Sequence, residues 1–163
     1  MSGGAIAPQP YRNVHEPFSG TARYVRDVEV SPSDEKPTVT VIGLDHVQLA
    51  APPGCEADAR SFYRDLVGLV EIEKPEPLRA RGGVWFQLGH QQLHIGVEEA
   101  FAPARKAHPA LRVGSGADLD VLADRLTSAG ASVVWDDALV AVRRFYVQDP
   151  WGNRVELLAD APP

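Results

Sequence analysis

The hydrophobic pattern sharpens near residue 39. The mostly apolar run 39–50 reads as a strand, stopped by Pro52, Pro53 and Gly54. Ala59, Phe62, Tyr63 and Leu66 then recur at helical spacing, and Gly68 stands where a left-handed cap would end that helix. Short alternating or apolar runs follow at 70–73, 83–88 and 92–97, divided by the turn-forming segments 75–77 and 89–90. The first half is thus predicted to be one strand, one helix and three strands.

Beyond a linker at 99–107 the same order returns. A strand at 108–113 precedes a helix whose apolar stripe is Leu119, Leu122, Ala123 and Leu126, with Gly130 as its cap. Strands at 132–135, 143–148 and 154–158 follow, the last two joined by the turn 149–153. One constant offset carries Gly68 onto Gly130, Leu49 onto Leu111, His46 onto His108 and His94 onto Glu156. Such a fixed shift points to paired supersecondary units. Residues 1–38 hold Pro8, Pro10, Pro17, Pro32 and Pro37 without a sustained apolar period, so they read as an N-terminal arm or linker in which only 22–30 suits a strand. The expected organisation is that arm followed by a single domain, 39–160, made of modules 39–98 and 107–160.

Strand alternation assigns the polar residues to one face. His46 and Gln48 oppose Val47 and Leu49; His94 opposes Leu93, Ile95 and Val97; His108 opposes Leu111 and Val113; Arg154 and Glu156 oppose Val155 and Leu157. If the amphipathic helices cover the apolar faces, the other faces form a polar concavity in which His46, His94, His108 and Glu156 can converge. Neutral imidazole and carboxylate suit Zn, Ni, Fe, Mn or Co, and two histidines plus one carboxylate leave coordination positions for a substrate. Gln48, Trp85, Gln87, Arg112, Tyr146 and Arg154 share the concave parity or can reach it, which makes them the substrate-binding candidates. The remaining chemistry-bearing residues read blandly. His15 and His90 are expected to be solvated, Arg143 and Arg144 to form a solvated edge, Trp151 to pack, and Cys55 to be inert.

Composition narrows the field. At 163 residues the chain fits one domain, and 16 Lys and Arg against 22 Asp and Glu give a net charge of -6, which speaks against nucleic acid as a partner. No run approaches the roughly 18 apolar residues of a membrane span, and the first ten residues lack a cationic start followed by an apolar stretch, so a cytoplasmic location without membrane partners is expected. With Cys55 as the one cysteine, no internal disulfide or thiolate cluster is available, and a metal would need His and carboxylate ligands.

The duplicated order, together with Gly43-Leu-Asp-His-Val-Gln-Leu49, Phe62-Tyr-Arg-Asp-Leu66 followed by Gly68, His108-Pro-Ala-Leu-Arg-Val113 and Asp149-Pro-Trp-Gly-Asn-Arg-Val-Glu156, resembles the vicinal oxygen chelate superfamily. Glyoxalase I, fosfomycin-resistance thiol transferases, extradiol dioxygenases and bleomycin-binding proteins belong to it. The resemblance covers residues 41–159. It implies an α+β fold of two βαβββ modules whose sheets form a cup around one divalent metal, with ligands on the first and last strands of each module: here His46, His94, His108 and Glu156. It further implies a metal-dependent, glyoxalase-like lyase or isomerase acting on a small oxygenated substrate, with Glu156 as the catalytic base, in a chain that forms a homodimer. Glyoxalase I typically has glutamate where this chain has His94. Two alternatives stay open: an extradiol-type dioxygenase holding Fe(II) through His46, His108 and Glu156, and a non-catalytic small-molecule or antibiotic-binding resistance protein, a class whose members have generally lost the ligands.

Overall fold

Each module closes on itself because its first and last strands run side by side. A computed structural model describes residues 40–161. The expected arm 1–38, its strand at 22–30 and His15 lie outside the described residues. In the first module β1 (His46–Ala51) leads into a helix that is α-helical over Glu56–Ala59 (α1) and widens into a π-helical turn over Arg60–Leu66. Then come β2 (Val70–Ile72), a short α2 (Glu76–Arg79), β3 (Val84–Leu88) and β4 (Gln91–Val97). The second module repeats the plan with β5 (Ala110–Arg112), α3 (Gly116–Ser128), β6 (Val134–Asp136), β7 (Val142–Gln148) and β8 (Arg154–Asp160). The result is two four-stranded sheets in the orders β1-β4-β3-β2 and β5-β8-β7-β6, with β1 parallel to β4 and β5 parallel to β8. This is the α+β architecture of two βαβββ modules that the pattern predicted.

The apolar faces meet the helices. Phe62, Tyr63, Leu119, Leu122, Ala123 and Leu126 from the helical stripes pack with Phe86, Leu93, Ile95, Phe145, Val155 and Leu157 from the strands in one buried cluster. The two helices end at the expected glycines, Gly68 at φ +91° and Gly130 at φ +87°, a region costly for any side chain. The N-terminus of α3 is capped by Ser115, whose Oγ accepts from the Asp118 amide. Contacts also run between the modules: the buried Tyr63 hydroxyl donates to Asp149 at 2.9 Å, and Asn153 Nδ2 donates to the Ala50 carbonyl at 2.8 Å. Asp149 in turn accepts from the backbone of Trp151 and Asn153, so the 149–153 turn is held from within as well as across.

Of the boundaries that differ from the sequence pattern, three have identifiable reasons. The first strand begins at His46 and not at 39, because its one neighbour among the described residues is β4 and that strand is cut off by the Gly89–His90 turn; Asp45 accepts the last ladder bond, from Gln92. Val41, Ile42 and Leu44 are left exposed. β5 shrinks to Ala110–Arg112 since Pro109 has no N–H to donate. The 75–77 segment, expected as a turn, opens the one-turn helix α2.

Candidate metal centre

Alternation places the predicted ligands on the faces turned away from the helices, and the strand register then sorts them into two pairs. In the first sheet, His46 and His94 stack with ring centroids 4.3 Å apart, and Trp85, the cross-strand partner of His94, lies parallel to it at 3.7 Å. In the second module, His108, two residues before β5, has its Nε2 3.0 Å from Glu156 Oε2, and Tyr146, the cross-strand partner of Glu156, meets the His108 ring edge-on at 5.5 Å. The register is conserved between modules: Gln48 pairs with His94 as Ala110 pairs with Glu156. Among the described residues, however, no three His, Cys, Asp or Glu side chains gather around one point. Within one chain the four candidate ligands therefore stand as two pairs, one in each module. Among the described residues β1 and β5 are edge strands of separate sheets with no ladder between them, and each module carries its own pair.

The hydrogen bonds around the rings bear on whether they fit a metal. His46 Nδ1 is engaged by Asp45 Oδ1 at 2.7 Å, and His108 Nδ1 by the Lys106 carbonyl at 2.7 Å. An imidazole that donates from Nδ1 to a carboxylate or carbonyl presents Nε2 as a lone pair, the arrangement typical of a metal-ligating histidine. His94 is set differently. Its Nε2 lies 2.8 Å from Gln92 Oε1, leaving Nδ1 as the nitrogen without that partner. Burial, and after it the neighbouring His46, push the His94 imidazole below its ordinary value, which favours the neutral form that coordinates. Glu156 is 6% exposed, the condition in which a carboxylate requires partners. The donor set and its orientation fit a divalent cation.

Arg144, read from the sequence as part of a solvated edge, belongs to this site. Its guanidinium bridges Glu156 Oε1 and Asp136 Oδ1, each at 3.2 Å, with only 16% of the side chain exposed, while its buried Nε has no partner among the described residues. Arg143, next in line, points the other way and pairs with Asp120 on α3 at 2.7 Å. The parity of Tyr146 carried the signal: Arg144 shares it and Arg143 does not.

The substrate-binding candidates separate as well. Trp85 is committed to His94. Gln87 gives its amide nitrogen to the Gly89 and Gln91 carbonyls, holding the β3–β4 turn. Arg112 is exposed and paired with Asp160 at 2.7 Å, on a different stretch of β8 from Glu156. Gln48 lies over Gly96, where any Cβ would meet its Nε2 at 2.6 Å. Arg154 and Tyr146 stay beside Glu156, with the Arg154 guanidinium 3.7 Å from the Tyr146 ring centre. Cys55 is buried, its thiol pushed up chiefly by that burial, and His90 is exposed.

The Glyoxalase/Bleomycin resistance protein/Dioxygenase superfamily matches the chain over residues 43–157, and the chain belongs to that family. A glyoxalase family protein from Bacillus anthracis is 48% identical, with 76% of this chain and 98% of that one aligned at a TM-score of 0.71. Two more distant structures share the fold: a lactoylglutathione lyase from Agrobacterium tumefaciens (21% identity, 74% and 95% covered, TM-score 0.59) and the fosfomycin resistance protein FosX from Listeria monocytogenes (16%, 75% and 96%, 0.61). No curated protein matches the chain. No helix among the described residues is long and apolar enough to cross a membrane.

Proposed function

We propose that the protein is a metal-dependent, glyoxalase-like lyase or isomerase acting on a small oxygenated substrate, with His46, His94, His108 and Glu156 as metal ligands. The observation that carries this reading is that Nδ1 of His46 and of His108 each meets an oxygen, from Asp45 and from the Lys106 carbonyl, while His108 Nε2 faces Glu156 Oε2 at 3.0 Å. Because the two pairs stand on separate sheets whose β1 and β5 edges are unpaired among the described residues, the site is completed by a second copy: His46 and His94 of one chain face His108 and Glu156 of the other. Exposed Val41, Ile42 and Leu44 beside β1 give that contact apolar surface to bury. A homodimer is the assembly this requires.

When bound, a divalent cation supplies Lewis-acid polarisation of substrate oxygens and acidifies coordinated water. The chain's own residues do the rest. Arg144 holds Glu156 Oε1 and leaves Oε2 directed into the site, where it ligates or accepts a proton from carbon next to a substrate carbonyl. The ring stack of Trp85 and His46 fixes the plane of His94. Glu156→Gln is expected to abolish turnover in a protein that stays folded; normal activity would remove Glu156 from that role.

A second reading draws on one observation. With His94 Nε2 engaged by Gln92, the remaining His46, His108 and Glu156 form a two-histidine, one-carboxylate set suited to Fe(II) and oxygen. Oxygen uptake with catechols after anaerobic Fe(II) loading supports that alternative, and its absence leaves the lyase or isomerase reading. A purely binding role predicts ligand affinity that survives chelator treatment.

A further inference from the structure

Arg154 differs from the other arginines on the strands. Arg112 pairs with Asp160, Arg143 with Asp120, and Arg144 with Glu156 and Asp136. Arg154 is half-buried, yet it makes no ion pair and no side-chain hydrogen bond among the described residues. Its guanidinium carbon lies over the Tyr146 ring, 3.7 Å from the ring centre. That cation–π contact steadies the guanidinium while leaving its N–H donors unspent. The acids nearby take their direct hydrogen bonds from other groups: Arg144 bridges Asp136 and Glu156, and His108 lies on the other oxygen of Glu156, so Arg154 acts on Asp136 only through space. Arg154 is therefore a cation with unspent N–H donors on the polar face of β8, two residues from Glu156, which is about 7 Å along an extended strand.

We propose that Arg154 is the residue that recognises an oxyanion on the substrate, so that the substrate carries a carboxylate-class anion a few bonds removed from the oxygens that approach the metal ligands. This rests on the metal-centred reading above. The fork of a guanidinium binds a planar carboxylate or a phosphonate through two parallel N–H···O bonds, which gives direction as well as charge. Tyr146 acts as the platform: pressed against Arg154 on one side and edge-on to His108 on another, it fixes the spacing between the anion and the metal ligands.

The test uses the full-length protein and three 2-oxo acids that offer the same chelating end but different tails: 2-oxoglutarate (carboxylate), 2-oxo-4-phosphonobutanoate (phosphonate) and 2-oxopentanoate (uncharged). Titration calorimetry is run on zinc-loaded and on chelator-treated protein, for wild type, Arg154→Ala and Arg154→Lys. The wild type is expected to prefer an anionic tail over 2-oxopentanoate by roughly tenfold to hundredfold, the worth of a charge-assisted bond. Arg154→Ala removes the preference while 2-oxopentanoate binds as before, and Arg154→Lys, with charge but no fork, restores part of it. The ratio of carboxylate to phosphonate affinity identifies the anion. Equal affinity for charged and uncharged tails in the wild type, or a preference that persists in Arg154→Ala, overturns the proposal. An Arg154-dependent preference that is the same with and without zinc retains the anion site and removes the metal-centred reading instead.

Discussion

His108 Nε2 and Glu156 Oε2 stand 3.0 Å apart in the second module, which contains neither His46 nor His94. The pair is poised by groups outside it: the Lys106 carbonyl on Nδ1 of the ring, and Arg144 on the far oxygen of the carboxylate. A ligand pair held from behind in this way gives the outer residues measurable weight.

Arg144 is the first of these. Its loss leaves Glu156 and Asp136, both substantially buried, short of their cation. Arg144→Leu should lower the urea midpoint, because Glu156 loses a charge-assisted hydrogen bond. It should also weaken zinc affinity by roughly tenfold or more, since Glu156 is no longer oriented. Unchanged values for both would place Arg144 outside the site.

The site was legible where local alternation decides and illegible where assembly decides. His46, His94, Glu156 and Tyr146 were assignable to one face because a strand turns successive side chains to opposite sides. The glycine caps and the Leu119–Leu126 stripe were readable for the same local reason. Arg144 was missed because adjacent arginines read as one charged patch, although a strand sends Arg143 to the α3 side and Arg144 to the ligand side. The start of β1 depends on where β4 ends, and the separation of the ligand pairs depends on how two sheets are joined. Neither is written in a periodicity.

Tyr63 links the helix of the first module to the 149–153 turn of the second. Tyr63→Phe should cost about 1–2 kcal/mol in urea unfolding, with Asp149 retaining its bonds from Trp151 and Asn153. Burial, and after it the Asp149 carboxylate, hold the phenol well above its ordinary value near 10. A raised folded value means its contribution is complete below that ordinary value and is lost as pH rises beyond it. The alkaline fall in stability should therefore be shallower in Tyr63→Phe, and identical alkaline limbs would contradict the coupling.

The His94 imidazole is shifted the other way, below its ordinary 6.5, chiefly by burial. The unfolded chain then binds a proton that folded His94 refuses, so the contribution is complete above that value and is lost as pH falls below it. In chelator-treated protein, His94→Gln should flatten the acid limb of the stability curve by up to about 1.4 kcal/mol per pH unit, one proton's worth. Equal slopes would show that His94 does not titrate with folding.

The most direct measurement is the zinc content of a mixed dimer made by co-expressing two differently tagged full-length chains, His46→Ala and His108→Ala. Shared sites predict roughly two zinc ions per wild-type dimer and close to none in either variant alone. The mixed dimer should hold about one, because His46 and His94 of the second chain meet His108 and Glu156 of the first in one intact site. A mixed dimer as empty as its parents, beside a loaded wild type, would contradict a centre built from two copies.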